Sequence, residues 1–259
     1  NVGGNMDIMN MLQRTILLLY AYDPDAEDRS AHHEIHTAIS LISRLPRIMV
    51  LTYYAKQARY NNGSMIMHRF IPGQSTAETI LSMLRPDRQF TPEEARMLDI
   101  MLCLHAEHGG GNNSTFTARV LTSSDTDPYS TYAGAIGSLK GWKHGGANHQ
   151  VLAMQKELKQ NVADWSDEGQ VADYLAKIVN KEAYDRTGLV YGMGHAVYTK
   201  SDPRAIICKQ FAEKLAVGTE YEAEFNLLKS IERLAPEVIL REKGTNKDMC
   251  ANIDMYSGF

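Results

Sequence analysis

Residues 91–111 read TPEEARMLDIMLCLHAEHGGG, and this stretch decides the fold class. Thr91-Pro92-Glu93-Glu94 has the form of a capping box. A hydroxyl can accept from the third helical N–H, a glutamate can reach back, and proline sits at the first helical position. Leu98, Met101, Leu102 and His105 follow at three- and four-residue steps toward His108, and Gly109 to Gly111 end the helix. Outward from it, Ser75-Thr76-Ala77-Glu78 is a second capping box. Residues 115–139 read as a helical region interrupted at Asp127-Pro128. A further helix is expected from near Ala147, with Val151, Met154 and Leu158 on one face. Asp202-Pro203 reads as a cap and an N1 proline, with the apolar series Ile207, Phe211 and Leu215 behind it and Gly218 closing the helix. Alternating strand patterns are scarce. An all-α chain is expected, divided at Gly145-Gly146 into residues 1–145 and 146–259.

Composition narrows the function classes. The 259 residues are 44% hydrophobic and 22% charged, which suits a sizeable core under a polar surface. A formal net charge of -4 without a basic stripe argues against nucleic acid as a partner. Neither Leu17–Tyr22 nor Ile48–Tyr54 is long enough to span a bilayer, so no membrane is expected either. No basic segment followed by an apolar run opens the chain, so a signal peptide is not expected. Cys103, Cys208 and Cys250 are odd in number and scattered, which points to a reducing, cytoplasmic setting. The chain starts at Asn1 and stops at Phe259 just after a motif, and further residues are expected beyond both ends.

Three stretches combine residues that can do chemistry. In His144-Gly145-Gly146-Ala147-Asn148 the glycines let a histidine approach a ligand closely, although the same residues suit a turn between helices. In Gly192-Met193-Gly194-His195, followed by Asp202-Pro203-Arg204, the arginine falls in the first turn of a helix. There its guanidinium can grip a carboxylate with two parallel hydrogen bonds, or simply lie on the surface. In Asn252-Ile253-Asp254-Met255-Tyr256 an aspartate between apolar neighbours is either a base or a turn residue. His32, His33 and His36, and the pair His105 and His108, lack cysteine or carboxylate partners at zinc-site spacing, so no metal is expected. A solvated helix face is the plainer reading of the first group.

In order along the chain, HAEHGGGN (105–112), LKGWKHGGAN (139–148), GMGHAVYTKSDPR (192–204) and NIDMYSG (252–258) resemble the citrate synthase family. The resemblance covers roughly residues 72–258. It implies a two-domain, all-α, homodimeric acyltransferase that condenses acetyl-CoA with oxaloacetate and hydrolyses the citryl thioester without a cofactor. By resemblance, Asp254 is the base that takes a proton from the acyl methyl group, and His144 hydrogen-bonds the thioester oxygen. His195 polarises the oxaloacetate carbonyl and donates a proton as the alkoxide develops. Arg204 and His108 hold oxaloacetate, with Asn112 near them. Lys200 and Lys247 are candidates for the phosphates of CoA. Trp142-Lys143 stand where many relatives have Pro-Leu, and Thr199 where some have an arginine for CoA. The catalytic groups fall on both sides of the domain division, so closure on oxaloacetate ahead of acetyl-CoA is expected. Three other readings remain: 2-methylcitrate synthase using propionyl-CoA, a catalytically silent or truncated homologue, and a helical module binding metal through His105 and His108.

Overall fold

A computed structural model of the protein describes residues 7–106, 109–195, 197–244 and 249–259. The described residues are 64% helical and include no strand. It divides into two compact units, Asn1–His144 and Gly145–Phe259. No helix among the described residues is long and apolar enough to cross a membrane.

The first unit holds α1 (Ile8–Leu19), α2 (Ala31–Tyr60), α3 (Thr76–Leu84), α4 (Pro92–Ala106), α5 (Asn113–Thr122) and α6 (Pro128–Leu139). Most starts follow the capping chemistry of the sequence. Ser75 and Glu78 exchange the two bonds of a capping box at α3, and Thr91 and Glu94 do the same at α4. The fork of Arg85 and the Thr91 N–H hold the Glu94 carboxyl down to about 2. Asp127 caps α6 by accepting from Ser130 N–H at 2.8 Å, with Pro128 behind it. Two apolar clusters carry the unit. Leu12, Ile16, Leu41, Tyr129 and Ala133 join α1, α2 and α6, while Val50, Tyr54, Ile80 and Met83 join α2 and α3. The 30-residue α2 carries Pro46 in its interior and is the longest element. Its His32 and His36 are exposed, on a solvated face.

The second unit holds α7 (Ala147–Asn161), α8 (Glu168–Val179), α9 (Pro203–Ala216), α10 (Glu222–Lys243) and the four-residue α11 (Asp254–Ser257). Val151, Met154 and Leu158 of α7 are fully buried, each worth about 1.5–3 kcal/mol of transfer free energy. Helix α8 lies along α10, and Val171, Leu175 and Ile178 meet the apolar side of α10 there. The apolar series of α9 is not its core side. The core side is Ala205, Cys208, Ala212 and Ala216, while Ile207 (37% exposed) and Leu215 (40%) face out. Small residues on that side let α9 approach α10 and α11 closely, and this outweighs the larger side chains of the apolar series. Buried Met255 and Tyr256 set α11 among α7, α9 and α10.

Candidate functional site

Among the described residues, four of the sequence-predicted ones lie in the second unit: Lys200, His195, Arg204 and Asp254. The loop that bears His195 and the segment that bears Asp254 are held together by backbone bonds. Gly194 N–H donates to Cys250 O at 2.7 Å and Asn252 N–H to Gly192 O at 2.9 Å, flanking the isolated bridge between Met193 and Ala251. Gly192 makes this possible: its φ is +83°, and a Cβ there would lie 3.0 Å from Met255 Cε and 3.1 Å from Met255 Cα. The side chain of Asn252 adds a clasp. Its Nδ2 donates to Gly194 O at 2.8 Å, and its Oδ1 accepts from Asp254 N–H at 3.0 Å. Asp254 opens α11 half-exposed, between buried Ile253 and Met255.

His195 is oriented by its own loop. Val197 N–H and Tyr198 N–H both donate to Nδ1, each at 3.0 Å. Nδ1 is therefore an acceptor, which leaves Nε2 as the nitrogen that can carry a proton. Nη2 of Arg204 lies 3.4 Å from that Nε2, which sets two donors side by side. The Tyr198 ring backs both groups, with its centroid 4.8 Å from the imidazole and 5.6 Å from the Arg204 Cζ.

Arg204 is the second residue of α9, as the cap signal implies, and its fork grips a carboxylate of the chain itself. Nε donates to Asp202 Oδ1 at 3.0 Å and Nη2 to Asp202 Oδ2 at 2.8 Å. The paired face of the guanidinium thus grips its own cap residue. The end-on edge, Nη1 and the second proton of Nη2, is what a substrate carboxylate would meet. Burial pushes the Asp202 carboxyl up, yet the Arg204 side chain and N–H, its charge and the Ile253 N–H outweigh that and hold it below its ordinary value. A carboxyl lowered in the folded state contributes stability above its unfolded pKa, lost as pH falls through the folded value. Acid unfolding of the wild type should accelerate below about pH 3.9, the ordinary aspartate value. Asp202→Asn should show a flatter stability curve there, by circular dichroism against denaturant; identical curves would contradict the assignment.

Lys200 is exposed and opens on a cavity of about 240 Å³ whose walls include Asp202, Ile206, Glu232, Met249 and Cys250. Burial, and then Asp202, raise the Cys250 thiol. Behind the site, Tyr256 donates to Glu232, which Lys209 also grips, and Asn148 Nδ2 donates to Ser257 Oγ at 2.6 Å.

Two predicted residues lie in the first unit. His144 is half-buried at its end, and Ser114 Oγ is 2.8 Å from its Nε2. Asn112 caps α5: its Oδ1 accepts from Ser114 N–H (3.0 Å), Thr115 N–H (3.2 Å) and Ser114 Oγ (2.7 Å). The Asn112 carbonyl is thereby committed to the helix, and its amide NH₂ is the part left to meet a ligand. His105 donates from Nδ1 to Met101 O at 2.7 Å, within its own helix. Among the described residues the group with metal-ligand proximity is Asp23, Asp25 and His33, where Asp23 already accepts from Tyr129 at 2.7 Å and pairs with His33 at 3.4 Å. His108 and Lys247 lie outside the described residues. Sequence reading gave no role to Ser114, Tyr198 or Asn252. The available signal was their position beside an assigned residue: Asn112-x-Ser114, His195-x-x-Tyr198 and Asn252-x-Asp254 are all local turn or cap spacings.

Solved structures show the class of fold. The chain matches the citrate synthase of Thermotoga maritima with a TM-score of 0.71 at 23% identity, covering 98% of this chain and 59% of that one. It matches that of Thermoplasma acidophilum, solved as a ternary complex with carboxymethyl coenzyme A and oxaloacetate, with a TM-score of 0.77 at 23% identity, covering 98% and 60%. Both establish an all-α citrate-synthase fold. The family model described as citrate synthase, C-terminal domain, matches residues 1–259, and the chain belongs to the citrate synthase family. The citrate synthase of Acidithiobacillus ferridurans is 34% identical over 261 residues, and that of Deinococcus radiodurans 32% over 250. The matches cover 99% and 96% of this chain but 61% and 60% of those relatives.

Proposed function

We propose that this chain acts in the condensation of acetyl-CoA with oxaloacetate and in the hydrolysis of the citryl thioester that results. The observation that carries the reading is the closeness of His195 Nε2 to Arg204 Nη2, 3.4 Å apart, each group held by its own neighbours. Two preorganised donors side by side suit a ketone oxygen that becomes an alkoxide, and the end-on edge of Arg204 suits an adjacent carboxylate. Asp254 removes a proton from the acyl methyl group, and the resulting enolate carbon attacks the ketone carbon. His144 supplies the hydrogen bond to the thioester oxygen, its ring oriented by Ser114. The alkoxide takes its proton along the hydrogen bond from His195. Water then cleaves the thioester and CoA leaves as the thiol. Each developing charge has a donor among these side chains, so the scheme calls on no metal or cofactor.

His108, Asn112, Lys200 and Lys247 are proposed as contributors to binding, the first two for oxaloacetate and the lysines for CoA phosphates. Exposed Phe116, Val120 and Tyr132 on α5 and α6 support a homodimer. Three free cysteines support a reducing compartment such as the cytoplasm. The test is release of free thiol from acetyl-CoA and, in parallel, propionyl-CoA, with and without oxaloacetate. Release that requires oxaloacetate supports the reading, and the faster thioester identifies the acyl group. Thiol release independent of oxaloacetate, or none from either thioester, contradicts it.

A further inference from the structure

Asp202 does more than cap a helix. Its side chain is 0% exposed, and each carboxylate oxygen accepts two donors. Oδ1 takes Arg204 N–H and Nε, both at 3.0 Å; Oδ2 takes Arg204 Nη2 at 2.8 Å and Ile253 N–H at 3.2 Å. One buried anion thus joins α9 to the backbone N–H of Ile253, the residue before Asp254, across 51 residues of sequence. A buried carboxylate with a full set of donors is costly to displace, because any shift leaves charge or N–H groups unpaired. It behaves as a fixed pivot rather than a flexible tether.

We propose that Asp202 is a positioning residue that sets the register between the oxaloacetate-binding face of Arg204 and the carbon-acid base Asp254. The inference rests on the function proposed above. The reaction needs the ketone carbon and the deprotonated methyl carbon aligned, and misplacement by about 1 Å can cost on the order of 100-fold in rate. Arg204 fixes one partner and Asp254 acts on the other, and Asp202 contacts the side chain of the first and the backbone leading to the second. The four-residue α11 is too short to hold its own direction, so that direction comes from such contacts.

The experiment uses Asp202→Asn and Asp202→Ser in the full chain. Asparagine keeps the Oδ1 cap but turns an NH₂ toward Arg204 Nη2 and Ile253 N–H, donor against donor. Serine caps α9 without that opposition and leaves Oδ2 absent, which covers the case in which the first variant does not fold. Amide exchange of Ile253 is compared with that of α8 in the same unit, alongside oxaloacetate affinity, kcat and KM. In either folded variant, Ile253 should exchange about tenfold faster while α8 stays at its parental rate, as expected for one lost hydrogen bond. Oxaloacetate affinity and kcat should each fall about tenfold or more. Faster exchange throughout the unit with kcat per folded molecule unchanged would overturn the inference, since that is a structural role alone. So would an unchanged Ile253 rate. A parent chain that neither binds oxaloacetate nor turns over contradicts the proposed function instead, and the exchange comparison then decides whether Asp202 holds the peptide before Asp254.

Discussion

Asp254→Asn is expected to lower turnover by about a thousandfold or more while oxaloacetate affinity stays within about twofold. The asymmetry follows from the timing of the interaction. On the proposed function, the carboxylate takes a proton only in the transition state, whereas other side chains hold oxaloacetate. Asparagine is nearly isosteric, and the backbone of residue 254 is clasped by Asn252 Oδ1 and flanked by buried Ile253 and Met255. The fold should therefore survive the change, and a loss of kcat can be read as lost chemistry. Steady-state kinetics with calorimetric binding of oxaloacetate checks both halves. Near-parental turnover would remove Asp254 from the role of base.

Arg204→Lys should weaken oxaloacetate binding by about 10- to 100-fold, the range for one or two charge-assisted hydrogen bonds. Lysine keeps the charge but offers one compact head where the guanidinium offers two faces. One face holds buried Asp202, and the proposed function assigns the end-on edge to the substrate. A lysine cannot serve Oδ1, Oδ2 and an incoming carboxylate together. The variant should accordingly lose stability as well as affinity, with Asp202 left short of donors. An oxaloacetate dissociation constant equal to the parent's, by calorimetry, would exclude Arg204 from binding.

The helical starts were legible because caps are local chemistry. Ser75, Thr91, Asp127 and Asp202 each begin a helix through contacts within three residues, which a sequence displays directly. The facing of α9 was not legible. Ile207, Phe211 and Leu215 make a good apolar series, but which side is buried depends on how closely neighbouring helices approach, and Ala205, Cys208 and Ala212 permit the closer packing. The site divides along the same line. His195 and Arg204 could be placed on a loop and in a first turn from spacing alone. The commitment of the Arg204 fork to Asp202 could not, because it depends on rotamer choice within two residues. Ser114 beside His144 is 30 residues distant in sequence, and Asp202 beside Ile253 is 51, so neither pairing leaves a local pattern.

The most direct measurement follows the carbon–carbon bond itself. Acetyl-CoA labelled with carbon-13 at the methyl position is incubated with oxaloacetate and the chain, and the products are read by NMR. The label should move from the thioester methyl to a methylene of citrate, with the signal lost in Asp254→Asn. Label that stays in the methyl group of acetyl-CoA or of free acetate would contradict the account, as would equal citrate formation by Asp254→Asn.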